Sequence, residues 1–74
     1  MIDNRECLRE FGSYIKEARE WRGMTQSEIA ERLEINQSYY SLIENGKREV
    51  DLVLALKICQ ELNLDMRKFI TKFL

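Results

Sequence analysis

The chain has 74 residues, 45% of them hydrophobic and 34% charged, and its formal net charge is −1. This length provides one modest hydrophobic core, and this composition is typical of a globular domain and argues against disorder. No apolar run approaches the roughly 18 residues of a membrane span, and the charged N-terminus lacks the apolar stretch of a signal peptide. We therefore expect one cytoplasmic domain, residues 1–74, with no membrane association.

The two cysteines, Cys7 and Cys59, are far apart in the sequence, and no histidine accompanies them. Zinc sites need closely spaced cysteine or histidine ligands, and small secreted domains usually carry several disulfides. We therefore expect two reduced thiols, with Cys59 in the core. We expect no metal, no cofactor and no small-molecule ligand.

Apolar residues recur at helical spacing along the whole chain, which contains no proline. No segment alternates as a strand does, so the pattern predicts an all-α bundle of five helices. Helix 1 is predicted from about Asn4 to Arg22, ending at Gly23. Its inner stripe comprises Leu8, Phe11, Ile15 and Ala18. By its spacing from Tyr14 and Ala18 we expect Trp21 to pack at the edge of the core, and an exposed position open to DNA or a partner chain is the alternative.

Two short helices follow. Thr25 and Glu28 have the spacing of a capping box, so helix 2 begins after Thr25. Asn36 is a good N-cap, so helix 3 begins after it and ends near Asn45 and Gly46. About three residues join the two helices, which is the spacing of a helix-turn-helix unit, here about residues 25–46. A helix that protrudes from a compact domain fits the DNA major groove, which is about 12 Å wide.

Helix 3 contains two pairs of adjacent apolar or aromatic residues. Neighbouring helical residues point about 100° apart, so they cannot share one face. The spacing favours Tyr40 and Ile43 as buried residues. Tyr39 and Leu42 are then expected on the outer surface.

Two further helices are predicted after the N-caps Asp51 and Asp65. The inner face of helix 4 is predicted to comprise Leu52, Ala55, Ile58, Cys59 and Leu62. Helix 5 is expected to continue to the last residue, about 66–74. The apolar surplus of this C-terminal part would leave an exposed patch on a monomer, which favours association. We therefore expect a homodimer with Val53, Leu54, Met66, Ile70, Phe73 and Leu74 at its interface.

Several segments in combination are specific for one family. They are residues 15–19 (IKEAR), 23–33 (GMTQSEIAERL) and 36–48 (NQSYYSLIENGKR), followed by Asp51 and residues 55–62. On these segments the sequence resembles the Cro/C1-type helix-turn-helix family, which includes phage repressors and the Xre regulators. The resemblance covers roughly residues 11–70 and implies a lambda-repressor-like DNA-binding domain.

The resemblance implies a transcriptional regulator that binds specific double-stranded DNA as a dimer, with helix 3 in the major groove. It places base contacts at Gln37, Ser38, Tyr39 and Leu42. It places phosphate contacts at Thr25, Gln26, Ser41, Asn45, Lys47 and Arg48. It also implies a partly buried ion pair between Arg19 and Glu44.

The sequence pI near 5.5 keeps a second function open, because nucleic-acid-binding domains are usually basic. In this alternative the same fold is a protein-interaction module, such as an antitoxin or the partner of another regulator, with little direct DNA binding. No nucleophile elbow or phosphate-binding glycine loop is recognisable, so no catalytic residues and no enzyme are expected. Three settings fit a regulator of this size: a phage-type repressor, a controller of a restriction-modification operon and an autoregulating antitoxin.

Overall fold

The computed structural model describes residues 2–73 and contains five helices within them. They are α1 (Asn4–Trp21), α2 (Gln26–Leu33), α3 (Gln37–Glu44), α4 (Leu52–Glu61) and α5 (Met66–Thr71). No strand occurs in this part of the chain, so the predicted all-α class is confirmed. No helix of residues 2–73 is long and apolar enough to cross a membrane.

Every helix begins at a side chain that accepts a hydrogen bond from a free backbone amide of the first turn. These N-caps are, in chain order, Asp3, Thr25, Asn36, Asp51 and Asp65. Thr25 and Glu28 form a reciprocal capping box, with 3.0 Å from Glu28 N to Thr25 Oγ1 and 3.1 Å from Thr25 N to Glu28 Oε1. The four N-caps predicted from the sequence are therefore confirmed. Short polar side chains are favoured at these positions because they satisfy amides that have no partner inside the helix.

The turn between α2 and α3 contains one residue with a left-handed backbone conformation. Glu34 has φ 58° and ψ 40°, and the amide of Ile35 donates to the carbonyl oxygen of Ala30 at 3.0 Å. A left-handed conformation costs a non-glycine residue about 1–2 kcal/mol. The hydrogen bond from Ile35 to Ala30 helps to hold Glu34 in this conformation.

The core lies where α1, α2, α3 and α4 converge. Tyr40 and Ile43 are buried on the inner side of α3, and Cys59 is a buried free thiol, as predicted. Burial raises the pKa of the Cys59 thiol. The other buried apolar residues are Phe11, Ile15, Ala18, Ile29, Ala30, Leu33, Ala55, Ile58, Leu62 and Phe69.

Aromatic contacts attach α5 to α1. The ring of Phe69 lies 5.5 Å from that of Phe11 and 5.8 Å from that of Tyr14, measured between centroids. Phe73 extends this group, with its ring 5.3 Å from that of Phe69. The Tyr14 hydroxyl donates to the carbonyl oxygen of Asp65 at 3.0 Å, which fixes the start of α5.

The structure corrects three expectations about apolar residues. Trp21 is 87% exposed, because α5 packs against α1 at Phe11 and Tyr14 and does not extend over the last turn of α1. Leu52 is 69% exposed, because it is the first residue of α4 and lies outside the core cluster. Helix α5 ends at Thr71 and does not continue through Phe73 as expected. The amides of Lys72 and Phe73 donate to carbonyl oxygens three residues earlier, which is a tighter turn than that of an α-helix. Leu74 lies outside the described residues.

Candidate nucleic-acid interface

One buried carboxylate fixes α3 against α1 and α2. Glu44, at the end of α3, accepts a hydrogen bond from Arg19 Nε at 2.6 Å on Oε2 and from Arg19 Nη2 at 3.0 Å on Oε1. Gln26, the first residue of α2, donates from Nε2 to Glu44 Oε1 at 3.0 Å. Three helices therefore meet at Glu44, through three charge-assisted hydrogen bonds, two from the Arg19 guanidinium group and one from the Gln26 side-chain amide.

The charge of Glu44 is maintained by these partners. Burial by itself would raise the pKa of Glu44, but hydrogen bonds, chiefly those from Arg19, outweigh it and lower the pKa below its ordinary value of 4.5. The hydrogen bond to Glu44 likewise raises the pKa of Arg19. Both groups are therefore ionised at neutral pH, and the pair remains intact there.

Helices α1 and α3 approach one another closely at Gly12, which is buried in the middle of α1. A Cβ at this position would lie 2.7 Å from the carbonyl oxygen of Ile43 and closer still to that of Glu44. These distances are below any real contact of a side-chain carbon, so only glycine allows this approach. The sequence analysis did not identify this role, because nothing local distinguishes Gly12 from any other glycine in a helix.

Four residues expected at base edges or phosphates share the outer side of α3. Gln37, Ser38 and Leu42 are exposed, and Ser41 is half-buried. Together with Gln26 they line one open groove of about 500 Å³, which we call the α3 groove. The other side of the same helix carries the buried residues Tyr40, Ile43 and Glu44. The helix therefore separates residues that hold it in place from residues that are free to contact a ligand.

Tyr39 is not part of the α3 groove. It is half-buried, and the guanidinium carbon of Arg48 lies 5.3 Å from the centroid of its ring. This distance is within the range of a cation–π contact. The structure thus places Tyr39 beneath a side chain expected to bind phosphate.

The residues expected to bind phosphate lie in two places. Thr25 and Gln26 are at the start of α2, where the Thr25 hydroxyl oxygen caps the helix and the Gln26 amide is bound to Glu44. Asn45, Lys47 and Arg48 follow α3 and are exposed. Gly46, between them, has a positive φ of 70°, which lets the chain turn back across α1.

The loop after α3 forms a second open groove with the first half of α1. This groove measures about 850 Å³, and we call it the α1–loop groove. Its lining residues are Arg5, Leu8, Arg9, Asn45, Gly46, Lys47, Arg48 and Glu49. The sequence analysis missed Arg5 and Arg9. Their spacing of four residues places them on one face of α1, but only the folded chain shows which loop that face meets.

The apolar residues expected at a dimer interface differ in exposure. Val53 is 61% and Ile70 is 45% exposed, whereas Leu54, Met66 and Phe73 are half-buried against the core. Two further apolar residues, Leu52 and Leu56, are exposed on α4. The large apolar residues exposed on α4 and α5 are therefore Leu52, Val53, Leu56 and Ile70.

Comparison with known proteins agrees with this geometry. Residues 15–69 match the family described as "Helix-turn-helix". This chain belongs to the Cro/C1-type helix-turn-helix family. The resemblance inferred from the sequence is thereby confirmed. The family is one of regulatory DNA-binding domains and is not an enzyme family.

Individual members of the family cover most of the chain. An uncharacterized HTH-type transcriptional regulator, YqaF of Bacillus subtilis (strain 168), is 36% identical over 56 residues, which span 76% of this chain and 74% of YqaF. The control protein C.MunI of a Mycoplasma sp. is 39% identical over 57 residues, 76% of this chain and 77% of C.MunI. The crystal structure of the restriction-modification controller protein C.AhdI from Aeromonas hydrophila superimposes with a TM-score of 0.76 and 32% identity, covering 84% of this chain and 94% of C.AhdI.

Proposed function

We propose that this protein regulates transcription in the cytoplasm by binding a roughly palindromic DNA site as a two-fold dimer, with α3 in the major groove. The two-sided character of α3 carries the proposal. Its inner side is fixed by Tyr40, Ile43 and the Glu44 ion pair, and its outer side presents the polar α3 groove. A recognition helix needs both properties, because base contacts require a fixed register on the duplex.

Base reading is assigned to the exposed residues of the α3 groove. Gln37 is the first residue of α3, and helix-turn-helix proteins present this tip to base edges. Its side-chain amide offers the donor and acceptor that the major-groove edge of adenine requires. Ser38 is able to donate or accept, and Leu42 provides an apolar contact suited to a thymine methyl group.

Phosphate binding is assigned to residues on either side of α3. Lys47 and Arg48 supply positive charge after the helix, and Ser41 and Asn45 supply neutral polar groups. At the start of α2, the Thr25 hydroxyl and the second amide hydrogen of Gln26 provide donors. Such contacts fix the position of the protein on the duplex without reading its sequence.

Dimer formation is assigned to the exposed apolar residues of α4 and α5. Leu52 and Leu56 are four residues apart on one face of α4, Val53 is beside them, and Ile70 is exposed on α5. The half-buried residues Leu54, Met66 and Phe73 would complete this interface. Two-fold pairing would place two copies of α3 about 34–36 Å apart, which is one turn of DNA.

The names of two relatives support one regulatory setting. C.MunI is named a control protein and C.AhdI a restriction-modification controller protein. Of the three settings that fit the sequence, this similarity favours the controller of a restriction-modification operon.

Selection of bound duplexes from randomised DNA tests the proposal. We expect one enriched, roughly palindromic site for the unmodified protein. Gln37→Ala should remove the preference at one position in each half-site, where a good amide–base pair contributes about 1–3 kcal/mol of discrimination. Gln60→Ala, an exposed glutamine on α4, is the matched control and should select the unmodified site. Enrichment of no sequence by the unmodified protein would refute the proposal.

A further inference from the structure

The α1–loop groove concentrates positive charge in an acidic protein. The chain as a whole has a net charge of −1. Four basic side chains line this groove, Arg5, Arg9, Lys47 and Arg48, and Glu49 is the one acidic residue among its lining residues. Like charges held this close repel one another, and an anionic partner relieves that repulsion.

These four side chains have no carboxylate partner within residues 2–73. The ion pairs of this part of the chain use other basic residues, namely Arg19, Arg32, Arg67 and Lys72. The side chains of Arg5 and Arg9 are exposed, so their guanidinium groups are available to a ligand. The groove is therefore a basic surface whose four cationic side chains form no ion pair within the described residues.

Backbone geometry joins the two sides of this groove. A Cβ at Gly46 would lie 2.9 Å from the Cα of Arg9, so the loop passes directly over α1 at this point. Lys47 and Arg48 follow this contact, and Arg5 is one helical turn before Arg9. The groove shares no lining residue with the α3 groove. A ligand of this surface therefore contacts residues other than those assigned to base reading.

We propose that Arg5 and Arg9 form a second phosphate-binding element, which holds the DNA backbone against α1 opposite Lys47 and Arg48. The inference rests on the proposed function and deepens it. The guanidinium group binds phosphate oxygens in bidentate fashion. Four residues of helix rise about 6 Å, so Arg5 and Arg9 lie one turn apart on the same face of α1 and are able to contact separate phosphates of one strand.

The salt dependence of binding tests this assignment. Each phosphate neutralised contributes about 0.9 to the slope of log affinity against log salt. We expect Arg5→Gln and Arg9→Gln each to reduce the slope by about 0.9 per subunit, and the double variant by about 1.8. Binding to the selected site and to random duplex should weaken by similar factors. Arg32→Gln is the matched control, because Arg32 is an exposed arginine on α2 whose carboxylate contact to Glu61 is long, at 3.8 Å. It should leave the slope unchanged.

Duplexes with single methylphosphonate linkages locate the contact. A neutral linkage at a phosphate bound by Arg5 or Arg9 should weaken binding of the unmodified protein but not of the double variant. Salt-dependent binding by the unmodified protein with unchanged slopes in both arginine variants would overturn this inference and leave the proposed function standing. An equal loss of slope in Arg32→Gln would also overturn it, since the effect would then report net charge alone. Failure of the unmodified protein to bind any duplex would instead refute the proposed function itself.

Discussion

The guanidinium group of Arg19 meets the Glu44 carboxylate in a two-point contact, with 2.6 Å between Nε and Oε2 and 3.0 Å between Nη2 and Oε1. The side chain of Glu44 has no exposed surface, and that of Arg19 is 10% exposed. A third donor of Arg19, Nη1, donates to the carbonyl oxygen of Met24 at 2.7 Å. The contact therefore joins α1, α3 and the segment that leads into α2.

Glu44→Ala should lower the free energy of unfolding by about 3–5 kcal/mol, because it leaves Arg19 as a buried charge without its partner. The measurement is equilibrium unfolding in urea at one fixed protein concentration. Glu61→Ala removes the partner of the exposed Arg32 and should cost about 0–1 kcal/mol. A loss below about 0.5 kcal/mol in Glu44→Ala would show that solvent screens the pair.

Stability should also fall in acid through Glu44. Its pKa is lowered in the folded state, so its contribution is fully present above its ordinary pKa of 4.5 and is lost as the pH falls through the folded value. We therefore expect the midpoint temperature of thermal unfolding to fall as the pH is lowered below 4.5. This fall should be smaller in Glu44→Gln than in the unmodified protein. Three exposed carboxyl groups whose pKa values are lowered by hydrogen bonds are common to both proteins, namely Glu10, Glu28 and Asp65. Identical pH profiles would contradict this prediction.

Gly12→Ala should displace α3 from α1. The added methyl group would meet the backbone oxygens of Ile43 and Glu44, which cannot rotate away as a side chain would. We expect a stability loss of about 1–3 kcal/mol, together with weaker DNA binding where the variant is still folded. Gly23→Ala is the control. The φ of +67° at Gly23 strains alanine, but the added Cβ would meet no atom within 4 Å. It should lose about 1–2 kcal/mol and keep its affinity for DNA. Equal affinities of the two variants would count against a role of Gly12 in placing α3.

Tyr39 should act through Arg48 and not on a base. Tyr39→Leu removes the ring beneath the guanidinium group, a contact that contributes about 0.5–1 kcal/mol at exposed sites. We expect affinity for all duplexes to fall by a similar factor, about two- to fivefold by this energy, with the selected sequence unchanged. Tyr39→Phe keeps the ring and should bind like the unmodified protein. A changed preference at one base pair in Tyr39→Leu would return Tyr39 to the base-reading residues.

Ile70→Asp should convert a dimer to monomers, since it places a charge within the exposed apolar surface of α4 and α5. The measurement is sedimentation equilibrium over a range of concentrations. Phe73 is less suitable for this test, because it packs on Phe69 within its own chain and its replacement would also loosen α5. Thr71→Asp adds the same charge at the neighbouring exposed position and should leave the assembly intact. An unmodified protein that is monomeric at high concentration would refute the proposed dimer.

The features that could be predicted from the sequence are those encoded by neighbouring residues. The N-cap residues Thr25 and Asn36 predict where α2 and α3 begin, and the spacing of Tyr40 and Ile43 identifies the buried side of α3. The features that could not be predicted depend on which surfaces meet. The exposure of Trp21 depends on how far α5 reaches along α1. Arg5 and Arg9 line a groove together with a loop some forty positions further along the chain, and no local sequence pattern predicts that contact.

The two-sided construction of α3 also bears on how the protein changes over generations. Substitutions at exposed positions away from special features usually alter stability by less than about 0.5 kcal/mol. Gln37, Ser38 and Leu42 are such positions, while Glu44 and Arg19 keep the helix in place from its opposite side. New side chains can therefore be sampled at the groove without loss of the fold. A lineage carrying this scaffold is free to drift from one DNA site to another, and a designer has the same three positions to vary.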